Sequence, residues 1–150
     1  MADQVIILVA EDEELVRPVI EEALEDAGFE VIEAEHAEAA LLVLQIHAAR
    51  IHVLLTDIHM PGAMNGLALA HHTAANWPKI ALLMTAARPR PHQRRLPEKC
   101  RFLAKPYQHE HVICHIRELA TRPRLQTQSA HQMITAAKAT DEAKLRASLS

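Results

Sequence analysis

Residues 5–12 read VIILVAED: six apolar residues, four of them β-branched, followed by two carboxylates. An unbroken apolar run of this kind predicts a strand buried on both faces, as in a parallel sheet, with polar chemistry at its carboxyl end. Three further stretches repeat the arrangement. VLLT at 53–56 is closed by Asp57, IALLM at 80–84 by Thr85, and CRFLA at 100–104 by Lys105. If these runs lie side by side, three acids, a hydroxyl and an ammonium share the sheet edge at which open α/β folds bind ligands.

Helical periodicity fills the intervals. Val16, Ile20 and Leu24 recur every four residues, which predicts a helix over 14–27 that Gly28 stops. FEVIEA, 29–34, reads as the second strand. Residues 37–49 form an Ala/Leu helix, 66–76 another that ends before Pro78, and 109–120 a last one with Val112, Ile113, Ile116 and Leu119 inward. MPGAMNG, 60–66, is a loop by its proline and glycines. The expected fold is therefore α/β, a doubly wound five-stranded parallel sheet built from right-handed crossovers.

One interval breaks the pattern. AARPRPHQRRLPEKC, 86–100, carries Pro89, Pro91 and Pro97, which spoil a helix interior. A short or irregular fourth helix follows, one turn near residues 92–96. After residue 122 the character changes. Ala130, Met133, Ile134, Ala137 and Leu145 stand at roughly helical spacing, so a domain over 1–122 and a C-terminal extension over 123–150, helical or partly disordered, are expected.

Composition narrows the function. Of 150 residues, 49% are apolar yet only Phe29, Trp77, Phe102 and Tyr107 are aromatic, so Leu, Ile, Val and Ala build the core. Cys100 and Cys114 lack a Cys-x-x-Cys spacing, and reduced thiols in a cytoplasmic protein are the expectation. No run is long enough to span a bilayer. Net charge is −3, but residues 1–40 hold thirteen acids against Arg17 alone, whereas residues 79–124 hold eleven bases against Glu98, Glu110 and Glu118. Such polarity can steer a protein partner or merely solvate two faces. The basic stretch has no interleaved aromatics, which argues against nucleic acid.

Three carboxylates in one cleft repel each other unless a cation joins them. With only oxygen donors at hand, the cation is Mg²⁺ or a similarly hard ion. Lys105 would neutralise a phosphate oxygen and the Thr85 hydroxyl would donate to another, leaving Asp57 as a carboxylate able to attack phosphorus in line. His111 and His115, four apart with Cys114 between them, form a conceivable metal pair without a third ligand. Glu13 and Glu14 read as first-turn acids favoured by the helix dipole.

Taken together, AEDEE, LLTDIHMPG, LLMTA and FLAKPY resemble the receiver domain of two-component response regulators over roughly residues 4–120. The resemblance implies a flavodoxin-like sheet of order 2-1-3-4-5. It makes Asp57 the phosphoacceptor, Glu11 and Asp12 the metal-site acids, and the backbone carbonyl of His59 a further Mg²⁺ ligand. Thr85 becomes the switch hydroxyl, Phe102 the switch aromatic, and Lys105-Pro106 a cis bond of the kind proline makes accessible. The side chains of His59 and Ala87, two past Asp57 and Thr85, would set the phosphoryl lifetime. The implied chain is a stand-alone receiver with no attached output domain, no enzyme beyond its own phosphorylation and dephosphorylation. Its partners would be a histidine kinase or histidine phosphotransfer protein as donor, and a homodimer mate through the C-terminal extension or the last helix.

Two alternatives stand beside it. A haloacid-dehalogenase-like phosphatase also uses an aspartyl phosphate, but needs an acid where His59 stands. A phosphorylation-independent pseudo-receiver would keep the fold without the chemistry. A P-loop nucleotide binder is excluded, because no Gly-rich loop ends in Lys-Ser/Thr.

Overall fold

A computed structural model describes residues 4–87 and 96–121. The strands are β1 (Ile6–Ala10), β2 (Glu30–Ala34), β3 (Val53–Asp57), β4 (Ala81–Ala86) and β5 (Cys100–Ala104). All pair in parallel, in the order β2-β1-β3-β4-β5. The helices are α1 (Arg17–Asp26), α2 (Ala37–His47), α3 (Gly66–Asn76) and, after β5, α4 (His109–Ala120). A single 3-10 turn, Ala48–Arg50, extends α2. Of the irregular helix expected near residues 92–96, residues 92–95 lie outside the described residues, as does the helical extension of 123–150; Leu96 is described, buried in a bend.

The pleat of β1 shows why the sheet is doubly wound. Ile6, Leu8 and Ala10 face a core shared with Leu44 of α2 and Leu69 and Ala70 of α3. Ile7 and Val9 face the other core, with Ile20 and Leu24 of α1 and Val112, Ile116 and Leu119 of α4. Each such Leu or Ile contributes roughly 1.5–3 kcal/mol when fully buried. Ile113 is half-buried against the same cluster.

One boundary moves. The helix expected from residue 14 starts at Arg17, with Val16 capping it and Pro18 in its first turn. Pro18 has no amide to leave unpaired there, so it marks the first turn. Glu13 and Glu14 consequently sit in the turn ahead of the helix and not in its first turn, which contains no acid. α2 and α3 have side-chain caps: His36 Nδ1 accepts from Ala39 N at 3.1 Å, and Asn65 Oδ1 from Ala68 N at 2.8 Å.

Candidate functional site

Parallel register brings the ends of β1, β3, β4 and β5 together. Asp57 pairs with Thr85 across β3 and β4, and Ala86 with Ala104 across β4 and β5. Lys105 N then donates to Ala86 O at 2.9 Å, so the residue after β5 is still held in the ladder. The Lys105-Pro106 bond is cis.

The lysine ammonium reaches back across the edge. Its Nζ lies 2.9 Å from Asp57 Oδ2 and 3.1 Å from Glu11 Oε1, with Glu13 Oε1 further out at 3.7 Å. Asp57 and Glu11 are both buried, while Asp12 is half-buried. Burial pushes the Glu11 carboxyl up; the Glu13 amide and Lys105 pull it down less strongly, and Asp57 adds to the rise. Burial also works against the Lys105 charge, but the hydrogen bonds and attraction of Asp57 and Glu11 outweigh it and hold the ammonium above the usual lysine range. One ammonium serves two carboxylates, so the cation gains more than Glu11 does.

One carboxylate oxygen from each of Glu11, Asp12 and Asp57 falls within 4.8 Å of the others. Among the described residues this is the grouping of His, Cys, Asp or Glu that could hold a metal ion. Its all-oxygen, partly buried donor set suits a hard divalent cation such as Mg²⁺. The His111 and His115 pair is not part of such a grouping: His111 is exposed, and His115 Nδ1 lies 3.1 Å from Arg101 Nη1.

The backbone around Asp57 is tightly held. His59 N donates to Asp57 Oδ1 at 3.1 Å, and Ile58 N to Thr85 O at 2.8 Å. Gly66 N donates to Ile58 O at 2.9 Å. A Cβ on Gly66 would lie 1.7 Å from the Asp57 carbonyl oxygen, so only glycine lets α3 begin so close to β3. The His59 side chain is exposed beside the site, as is Ala87. Thr85 is buried at the end of β4, and Phe102 is half-buried, packed on the core shared with α2 and α3.

Two contributors were not singled out as site residues from the sequence. Arg17 donates through Nη1 to Glu11 O and through Nε to Glu33 Oε1, both at 2.9 Å, tying the end of β1 to β2. Its isolation among thirteen acids was the available signal. Glu38 of α2 accepts from Ala63 N at 3.0 Å and Met64 N at 3.3 Å, clamping the loop that follows Asp57. Its own amide, more than the opposing effect of burial, holds this carboxyl below the usual range, and the Met64 and Ala63 amides add to that.

An apolar groove of about 540 Å³ opens beside Lys105. Leu15, Val16, Val19, Ala87, Pro106 and Tyr107 are among the residues that line it. Leu15 is 88% exposed, more than any other large apolar side chain among the described residues. Burial raises the Tyr107 hydroxyl pKa.

The chain is a doubly wound α/β domain, a parallel sheet of order 2-1-3-4-5 with acids and a lysine at its carboxyl edge. The model of the response regulator receiver domain matches residues 7–117, and the chain belongs to that family of two-component systems. A receiver domain protein of Clostridium thermocellum is 23% identical, with TM-score 0.75 over 81% of this chain and 98% of that one. The Vibrio cholerae chemotaxis protein CheY4 is 23% identical, with TM-score 0.69 over 78% of this chain and 99% of that one. The receiver domain of the hybrid histidine kinase CckA is 26% identical, with TM-score 0.67 over 77% and 99%. No curated protein matches the chain. Among the described residues no helix is long and apolar enough to cross a membrane.

Proposed function

We propose that the chain accepts a phosphoryl group on Asp57 from a phosphohistidine donor and relays it as a change of protein-binding surface. The observation that carries this reading is the position of Lys105 Nζ, in hydrogen-bond contact with Asp57 and Glu11 together.

Glu11, Asp12 and Asp57 would hold Mg²⁺, with the His59 carbonyl as a further ligand; the ion, when bound, supplies charge neutralisation at the phosphoryl oxygens. Asp57 is the nucleophile. A carboxylate oxygen forms a bond to phosphorus as the phosphorus–nitrogen bond breaks, and the electron pair leaves on the imidazole nitrogen, which takes up a proton. Lys105 stabilises charge on the transferring oxygens as a point cation. The Thr85 hydroxyl then donates to the phosphoryl group, and Phe102 fills the space that Thr85 leaves. Water later attacks phosphorus, releasing inorganic phosphate and the free carboxylate. His59 and Ala87 flank that path and set its rate.

Two features support a protein donor. The groove beside Lys105 is apolar and open, as a docking helix requires. The acidic N-terminal part of the chain offers a field for a basic partner. The pseudo-receiver reading leaves Lys105 and three converging carboxylates without a task. The phosphatase reading requires an acid where His59 stands.

The test is incubation with Mg²⁺ and a small-molecule acyl phosphate, followed by intact mass. The wild-type chain gains one phosphoryl group and Asp57→Asn gains none. Equal labelling of both refutes the reading.

A further inference from the structure

The loop between Asp57 and α3 is pinned at three places. At its start His59 N donates to Asp57 Oδ1 at 3.1 Å, and at its end Gly66 N donates to Ile58 O at 2.9 Å. Its middle is held from α2. Glu38 Oε2 accepts from Ala63 N at 3.0 Å and from Met64 N at 3.3 Å. Gly62, at a φ of +113°, passes so close that a Cβ there would lie 3.1 Å from both Glu38 oxygens. Three consecutive residues therefore wrap one carboxylate, with hydrogen bonds of the charge-assisted kind. Among the described residues no other side chain hydrogen-bonds the middle of this loop. Helix α2 is a firm base for the contact, since Ala37, Ala40 and Leu44 are buried and His36 caps its start.

We propose that Glu38 is a positioning residue of the phosphorylation site, one that sets the affinity for Mg²⁺ by fixing the loop that carries His59; this rests on the metal reading given above. Glu38 is not in the group of acids that could hold the ion, so it acts through the backbone. His59 is where the two meet. Its amide holds one oxygen of Asp57, and its carbonyl is the further ligand of the proposed site. With Ala63 and Met64 released, the peptide after His59 is free to turn, which carries the carbonyl away from the ion and loosens the Asp57 carboxylate. Binding then has to order the loop as well as fill the site, and the ordering cost appears as lost affinity. Groups that orient a metal's ligands from outside typically govern affinity by a factor of about 10–100. A plain charge effect is different in kind: any acid near the site attracts a cation, whereas Glu38 also holds the loop.

Calorimetric titration of the full chain with Mg²⁺ alone tests this, on variants whose circular dichroism matches that of the folded wild type. Glu38→Ala is expected to raise the Mg²⁺ dissociation constant about tenfold, the low end of the range because Glu38 holds the loop and not a ligand directly. Glu38→Gln, which keeps an acceptor oxygen for the loop amides without the charge, restores most of the affinity. Glu35→Ala removes a charge from an exposed neighbour at the same end of α2 and leaves the constant at its wild-type value. Should Glu38→Ala fail to fold, Glu38→Asp, one methylene short of the loop, takes its place with the same expectation. A wild-type constant in the Glu38→Ala or Glu38→Asp chain overturns the proposal and leaves the metal site standing. So does an equal loss in Glu38→Gln and Glu35→Ala, which would reduce the effect to charge. A wild-type chain that takes up no Mg²⁺ overturns the metal reading, and this inference with it.

Discussion

Lys105 Nζ stands 2.9 Å from Asp57 Oδ2 and 3.1 Å from Glu11 Oε1, the only ammonium shared by two buried carboxylates among the described ion pairs. Its side chain is 16% exposed, so solvent offers it little alternative. Replacing it with an apolar residue leaves Glu11 and Asp57 facing each other without a cation. Lys105→Met is expected to lose about 2 kcal/mol of stability near neutral pH, below the figure for a fully buried pair because the site edge is open. Urea denaturation measures this. Added Mg²⁺ should restore more stability to the variant than to wild type, because the ion then provides the only positive charge in the cleft.

Mg²⁺ itself should stabilise the fold by an amount that grows with the logarithm of its concentration over its dissociation constant, since it binds the assembled acids and not the unfolded chain. Thermal melts with increasing Mg²⁺ should rise for wild type and rise less for Asp12→Asn. Identical rises for both would remove Asp12 from the metal site.

Gly66 faces the Asp57 carbonyl so closely that a methyl group has no room. Backbone, not a flexible side-chain end, opposes it, so the loop or the start of α3 must shift. Gly66→Ala is expected to cost about 3 kcal/mol and to slow phosphorylation, because Asp57 moves with its carbonyl. Gly28→Ala provides the contrast: its positive φ of 100° strains alanine, but nothing lies within 4 Å of the added carbon.

Glu38 ties α2 to the loop after Asp57, and its pH behaviour follows from its lowered pKa. A carboxyl whose folded-state value lies below its ordinary 4.5 adds stability at pH above 4.5, and that stability is lost as pH falls through the folded value. Wild type should therefore lose more stability than Glu38→Gln on acidification from about pH 5 to pH 3. Parallel pH profiles of the two chains would contradict this.

Much of this architecture was legible in the chain. The run VLLTD predicts β3 with both ends correct, since a strand buried on both faces is continuously apolar and its boundary is chemically sharp. The four edge residues Glu11, Asp57, Thr85 and Lys105 converge because parallel register leaves them nowhere else to go. What periodicity could not give was contact between distant side chains. Arg17 reaches Glu33, and Glu38 reaches Met64, through tertiary packing that no local pattern encodes. Periodicity also extended α1 too far, because Val16 and the acids before it match a helical repeat while Pro18 sets the true first turn. The exposed Leu42 and Ile46 were likewise hidden inside an Ala/Leu helix that reads as core throughout.

The most direct measurement is to label the chain with Mg²⁺ and an acyl phosphate, trap the acyl phosphate by borohydride reduction, and map the modified residue by peptide mass spectrometry. The account predicts modification at Asp57 alone, abolished by chelation of Mg²⁺. Modification at Glu11 or Asp12, or at Asp57 regardless of Mg²⁺, would contradict it.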